Sequence, residues 1–591
     1  MSKKKFRYLR IPETWQQYWS RYPQGYTIME ALIDWVSQVN KMVDNVNDWN
    51  KYLDEFVATF DKNLQGHVIE ILRKWQEDGT LEIIIDEALQ TQIDELEEEL
   101  DKTVRQIAVD KTVTVGPTGD YATVNQAIEA LSKERPNYTK AGYKVEILLQ
   151  SGFIMREQVL VRGLDLGWIV LSSEDKEVTV NREKLTTMFG DENKYPLFGG
   201  SDHATLPIIN TLFVMDDSGV GPGRDGLYLE KQSTAHVTPG SGVKYAGGYG
   251  IRAFDGCRIL ARDADFSHAG ERGCMISQGT SLFAPGINLS YAKGRNAFRA
   301  YRNATANIGG ANLSHCAEVN VRISEGCQVD MQGADVSNAG LVNTEGNGHG
   351  AVVFGSCTVY AQGANFDDCA GPGLQVSNGS VVSVNDASIK NAGSYGINAY
   401  GGATVYAVNS TITGAGTIGI RASSGARVDA GSADVRGAGE VGMRAEYGGY
   451  IQASSANVSG NPVGLQAREG GLITGTSTIA DNCGIGVHVY WEGEMRLRNV
   501  SAKNCTNKGA EVSTGSRLTA TQGNFSGATN YGVHVYRGSE AALFGAQCRK
   551  GSEDQPTDIT CTTGSIVRAN GATGGMNLEP NTLTNEGIIF Y

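Results

Sequence analysis

The 591-residue chain lacks any apolar run of 18 residues, so nothing in it reads as a membrane-spanning helix, and its opening carries no secretory signal, so export by the usual route is not expected. Basic residues are outnumbered 51 to 65, and beyond residues 1–10 they form no cluster. With a net charge of −14, duplex nucleic acid is not an expected partner. There is no CxxC or Cys/His spacing, which argues against zinc. In the second half no segment shows the 3.6-residue spacing of a helix.

What is abundant is glycine, 75 residues, and it is periodic. A glycine returns every 22 or 23 residues at Gly250 and Gly273, blurs at Asn296 and Asn320, and resumes at Gly350, Gly373, Gly396, Gly419, Gly442, Gly464, Gly486, Gly509 and Gly532. The phrases GINAYGGATVYAVNSTITGAGTI and GIRASSGARVDAGSADVRGAGEV each hold three short alternating segments parted by turn residues. Such segments read as strands, one phrase as one coil, and the stack of coils as a solenoid whose core runs along its length. The glycine excess is assigned to coil corners, where tight turns need positive φ. Cys257, Cys327 and Cys357 fall in one column of the repeat, and Cys316, Cys369, Cys483 and Cys505 in another. They are expected to be buried, reduced thiols in a protein made in the cytoplasm.

Residues 1–110 differ, with five of the seven tryptophans and 21 acidic against 13 basic residues. Apolar positions stepping by threes and fours from Leu32 to Leu64, interrupted by Asn50, predict a heptad seam, and Leu89, Ile93, Leu96 and Leu100 a second. An intramolecular hairpin turning at Gly66 and Gly79 is the alternative to self-association. The expected fold class is mainly β: a right-handed parallel β-helix of three-strand coils preceded by an α-helical, partly coiled-coil domain. The expected divisions are a helical attachment and trimerisation region (1–110), entry cap and irregular coils (111–249), regular β-helix (250–555) and C-terminal cap (556–591).

The run GDYATVNQAI followed by VEILLQSGFIMREQVLV resembles the entry to the pectin lyase-like right-handed β-helix superfamily. RIPETWQQYW, YPQGYTIMEALIDWV and WQEDGTLEIIIDEAL resemble N-terminal regions of tail or appendage proteins from phages of Gram-positive bacteria. GFIMRE, Gly152 to Glu157, is similar to a pectinesterase entry motif. It has Phe153 where that motif has tyrosine, and the later catalytic segments of that family have no counterpart. The resemblance implies a homotrimeric virion spike, made in the host cytoplasm, attached to other tail proteins through residues 1–110 and presenting its β-helix to a host cell-surface glycan, capsule or teichoic acid. Such a spike either depolymerises the glycan or serves as a non-enzymatic receptor-binding or structural appendage. No cofactor and no membrane partner are expected.

Two columns of the repeat sort scaffold from function. Asp265, Asn288, Asp335, Asn365, Ser388, Thr411, Asp434 and Asn457 recur in nearly every coil and read as a structural ladder. A second column, with Arg252, Arg322, Arg421 and Arg444, alternates with inward residues and so faces out. Guanidinium forks suit carboxylates and phosphates, and rings suit sugar faces. Arg252, Arg295, Arg322, Tyr400, Arg421, Arg444, Tyr447, Tyr490 and Trp491 are therefore candidate glycan contacts, the alternative being a plain polar strand face. A loop, LVNTEGNG, interrupts the pattern after Asn320, and the earlier coils end in charged phrases. There Glu271 and Glu318, two coils apart and so near 10 Å in backbone separation, are candidate acid and base of an inverting glycosidase, with His315 and Asp368 tuning them. A surface ladder of Arg272, Arg295 and Glu318 is the competing reading. Asp216 and Asp217 holding a divalent cation is a third.

Overall fold

The computed structural model describes residues 105–136, 142–182, 185–190, 193–216, 223–340, 348–549 and 558–573, with strands Leu583–Thr584 and Gly587–Phe590. These residues divide between two units, 1–111 with 126–144, and 112–125 with 145–591. In the smaller unit, strands Arg105–Ile107 and Glu134–Pro136 pair in parallel, and Lys111 Nζ donates to Glu134 Oε2 at 2.6 Å. Helix α1, Val124–Ser132, is the single helix among the described residues. It buries Val124, Ala127, Ile128 and Leu131, the spacing of one helical face.

The expected fold class is corrected here. The protein is a mainly β, right-handed solenoid of about 17 turns, and no helical coiled-coil domain precedes it in the described structure. The heptad seams that suggested one lie in residues 1–104, outside the described residues. Periodicity alone also does not distinguish a partnered seam from a helix packed on its own chain.

In the solenoid, a long-strand sheet runs in parallel from Val159–Arg162 to Ile559–Cys561, and a short-strand sheet from Thr234–His236 to Gly587–Phe590. The third side begins as a proper sheet of Lys111–Val115, Val145–Leu149, Ile169–Val180, Ile208–Met215 and Gly242–Lys244, with Ile154–Met155 beside Ile169–Val180. From Asp265 onward it shrinks to one bridged residue per coil, so a regular coil has two strands and a bridge rather than three strands. The cause is local. Asp265 and Asn365 each accept the backbone N–H two residues on, at 3.0 and 3.1 Å, closing an Asx turn that ends the segment. Asn288 and Asn365 also donate to the aspartates one coil below, at 3.2 and 3.1 Å. The column read from sequence as a structural ladder is this bridge column.

The inward positions of the long-strand sheet, such as Ile251, Phe298, Ile420 and Val487, stack in register and are fully buried. The positive-φ corners do hold many of the glycines, as expected for the excess, but the repeat glycine sits one place before the inward residues and is needed for another reason. It occupies a strand, not a corner, and what it lacks is room: a Cβ on Gly419 would lie 2.2 Å from Val435 and 2.7 Å from the Gly442 carbonyl oxygen. Positive φ belongs to a separate set at the corners, such as Gly425 with φ +76° and open space around it. All ten cysteines are free thiols and nine are buried, as the columns predicted. Burial pushes Cys483 up to about 11 and Cys505 up to about 12.

Candidate functional site

The outward column of the long-strand sheet is one unbroken ladder. Arg252 pairs in register with Met275, then Arg299, Arg322, Val352, Gln375, Asn398, Arg421, Arg444, Gln466, His488, Glu511 and His534. Arg299 and Glu511 were missed in the sequence. Ala297 stands where the repeat has glycine, which hid the match of AFRA to GIRA; reading the inward Phe298 as the equivalent of Ile251 recovers it.

From Arg421 onward the ladder is neutralised from within. Glu446, fully buried, accepts from Arg421 Nε and Arg468 Nε, each at 2.6 Å. Burial works to raise its carboxyl, but those two guanidinium bonds prevail and hold it below the usual range. Arg468 also donates to Tyr490 Oη at 3.1 Å, and Arg444 Nε to Gln466 Oε1 at 2.5 Å. Glu511 accepts from Lys508 Nζ at 2.5 Å and from Tyr536 Oη at 2.9 Å, with His488 Nε2 at 3.8 Å. Burial, with Lys508 and Arg444 nearby, keeps His488 below its ordinary value despite Glu511. Of the predicted aromatics, Tyr490 stacks on His488 at 4.4 Å, and Trp491 lies 4.9 Å from Tyr490. Tyr447 and Trp491, two coils apart at left-handed corners, are 53% and 50% exposed. Tyr400 Oη accepts from Gln375 at 3.2 Å.

The earlier coils are different. Arg252 lies 4.3 Å from the Tyr249 ring centroid and 3.5 Å from Asp225, which is completely buried and accepts the Tyr249 N–H at 2.8 Å. Burial, opposed by Arg252, pushes Asp225 up to about 6. Arg272, also buried, donates to Tyr249 Oη and, at 3.3 Å, to Asn296. Beyond it, Arg295, Arg299 and Arg322 have no carboxylate within ion-pairing distance among the described residues. Arg299 lies 4.9 Å from the Tyr301 ring and Arg322 5.4 Å from that of Phe354, while Arg299 Nε is buried without a hydrogen-bond partner.

The predicted catalytic residues fall on one edge in two columns. Glu271 and Glu318 each stand six residues past a bridge-column residue, Asp265 and Asn312, and three past a corner ring, His268 and His315, so they share a column two coils apart. Glu271 Oε1 is 4.0 Å from Arg272. His315 belongs to a ring stack at left-handed corners, Tyr245, His268, Tyr291 and His315, with centroids 4.7–4.9 Å apart. Asp368 continues that column and accepts from Asn391 at 3.0 Å. Residues 341–347 of the inserted loop, and Asp217, lie outside the described residues. Glu157, the last residue of GFIMRE, accepts the N–H groups of Val124 and Asn125 at 2.6 and 3.2 Å. A carboxylate at the positive end of α1 is a structural use of that position.

Comparison with known proteins agrees with this geometry. Residues 286–435 and 395–545 match the family model described as "Right handed beta helix region". The overlapping placements are what a repeat produces. The fold is a right-handed β-helix. A solved structure of a mutant of the periplasmic alginate epimerase AlgG is similar at 10% identity and TM-score 0.26, covering 70% of this chain and 83% of that one, a likeness too loose to bear on site or substrate. No curated protein matches.

Proposed function

We propose that the long-strand face binds an anionic cell-surface glycan, such as a capsule or a teichoic acid. The observation that carries this reading is the pair Arg299 and Arg322, on adjacent coils, each over an aromatic ring and without a counter-charge among the described residues. Unpaired guanidiniums beside flat apolar rings suit a polymer that alternates acid groups and sugars. The resemblance of the N-terminal segments to phage tail proteins supports a virion spike or appendage, attached through residues 1–110 and working as a homotrimer; a monomer in sedimentation would refute the oligomer.

Titration with a polyanionic glycan and a neutral one tests the site. The double substitution Arg299→Ala and Arg322→Ala is expected to weaken the polyanion at least about tenfold, the worth of one charge-assisted contact, and to leave the neutral polymer unaffected. Unchanged polyanion affinity would sink the proposal. The same incubations, read for new reducing ends or phosphomonoesters with and without Glu318→Gln, show whether binding is accompanied by cleavage at the Glu271 and Glu318 edge.

A further inference from the structure

On the short-strand sheet the repeat departs from itself in three successive coils. Strands Leu472–Thr476, Glu494–Arg498 and Arg517–Thr521 have five residues, whereas Tyr450–Gln452 before them and Glu540–Ala542 after them have three. The two added residues bring Thr476, Arg498 and Thr521 into register as a second outward row beside Thr474, Arg496 and Thr519. Between the rows, the inward position is Gly475 in the first coil and Leu497 and Ala520 in the next two. A cleft of about 290 Å³ opens there, lined by Ser454, Thr474, Thr476, Arg496, Arg498 and Thr519 among others.

We infer that this cleft is an oxyanion site for a phosphoryl group, separate from the long-strand face and independent of the function proposed for it. Arg498 is exposed and, among the described residues, its guanidinium has neither a hydrogen bond nor an ion pair. Arg496 is oriented by Glu494, which accepts from its Nε at 2.6 Å. Ser454 Oγ already accepts from Gln452 Nε2 at 2.7 Å and from the Thr476 N–H at 3.1 Å, so both its lone pairs are used and its proton remains to donate. Two guanidiniums and a ring of hydroxyls match the donor demand of a phosphate, whose oxygens are all acceptors. No acid is among the lining residues, and Glu494 is held by Arg496. The strand lengthening is what creates the second row, and neighbouring coils with three-residue strands have no equivalent of Arg498.

Calorimetric titration of the full chain with inorganic phosphate and with an oligomeric glycerol phosphate tests the assignment. Inorganic phosphate should bind the parent and the Arg299→Ala, Arg322→Ala variant alike, and in that variant, where the long-strand face no longer contributes, both probes should bind and adding Arg498→Ala should weaken both at least about tenfold. Tighter binding of the oligomer would assign the cleft to a phosphodiester polymer, and tighter binding of inorganic phosphate to the free ion. Thermal unfolding should be the same for Arg498→Ala and the parent, because the side chain supports nothing. No phosphate binding, or equal binding by parent and Arg498→Ala, would overturn the inference.

Discussion

The coils around Arg299 and those around Arg444 place the same residue type at the same step of the same ladder, yet give it opposite surroundings. At Arg421 and Arg468 the guanidiniums close on one buried carboxylate, Glu446. At Arg299 and Arg322 no carboxylate is within reach among the described residues, and the neighbours are Met275 and Val352. Position in a repeat therefore does not assign a role; the counter-charge does. An Arg–Glu–Arg set taken out of water is self-sufficient and has little left for a ligand, whereas an uncompensated guanidinium over a ring retains both its charge and its fork.

The comparison is broken most severely at Glu446. Removing it leaves two guanidiniums facing each other, so Glu446→Ala should destabilise the fold by about 3–5 kcal/mol, measured by denaturant unfolding. Its pH dependence has a definite sign. Since the folded carboxyl titrates below the unfolded value of about 4.3, its stabilisation is present above that value and lost as pH falls through the lower folded one. A parent no more acid-sensitive than Glu446→Gln would show that the pair of guanidiniums does not protect it.

Asp225 should behave in the reverse sense. Its folded value of about 6 exceeds the unfolded value of about 3.9, so its contribution is present below the unfolded value and is lost as pH rises through 6. Relative to Asp225→Asn, the parent should lose on the order of 2–3 kcal/mol between pH 4 and pH 7. A difference that does not change with pH would mean that Arg252 compensates the charge fully.

Much of this was legible in the sequence. A 22- or 23-residue period needs only one intolerant position, and the repeat glycine is intolerant because coils touch there. Spacing reports that glycine is needed there but not whether φ or crowding requires it. Gly419→Ala should therefore cost about 1–3 kcal/mol through overpacking, whereas Gly425→Ala, in open space, carries only the strain of a positive φ, about 1 kcal/mol. Equal losses would mean that crowding adds nothing at the repeat glycine. The bridge column was legible because a polar residue recurs where an Asx turn must close. Glu446 and Glu511 were not, because a single acid among varied outward residues gives no periodic signal. The shared column of Glu271 and Glu318 was legible because each stands six residues past a bridge residue, Asp265 and Asn312.

The smallest expected effect on stability is also the sharpest test of the comparison. If Arg299 and Arg322 are held for a ligand, replacing both by alanine removes charge that nothing in the fold answers, and unfolding should shift by no more than about 0.5 kcal/mol per site. Arg421→Ala, by contrast, leaves Glu446 buried with a single partner and should cost several times as much, because a buried charge deprived of a partner retains its full desolvation penalty. Polyanion binding should show the opposite order: weakened by the Arg299 and Arg322 changes, and more so at low ionic strength where the parent's attraction is least screened, but little altered by Arg421→Ala in any protein that remains folded. Equal stability losses in the two regions would mean that both sets of arginines belong to the scaffold and that the polyanion, if it binds, does so elsewhere.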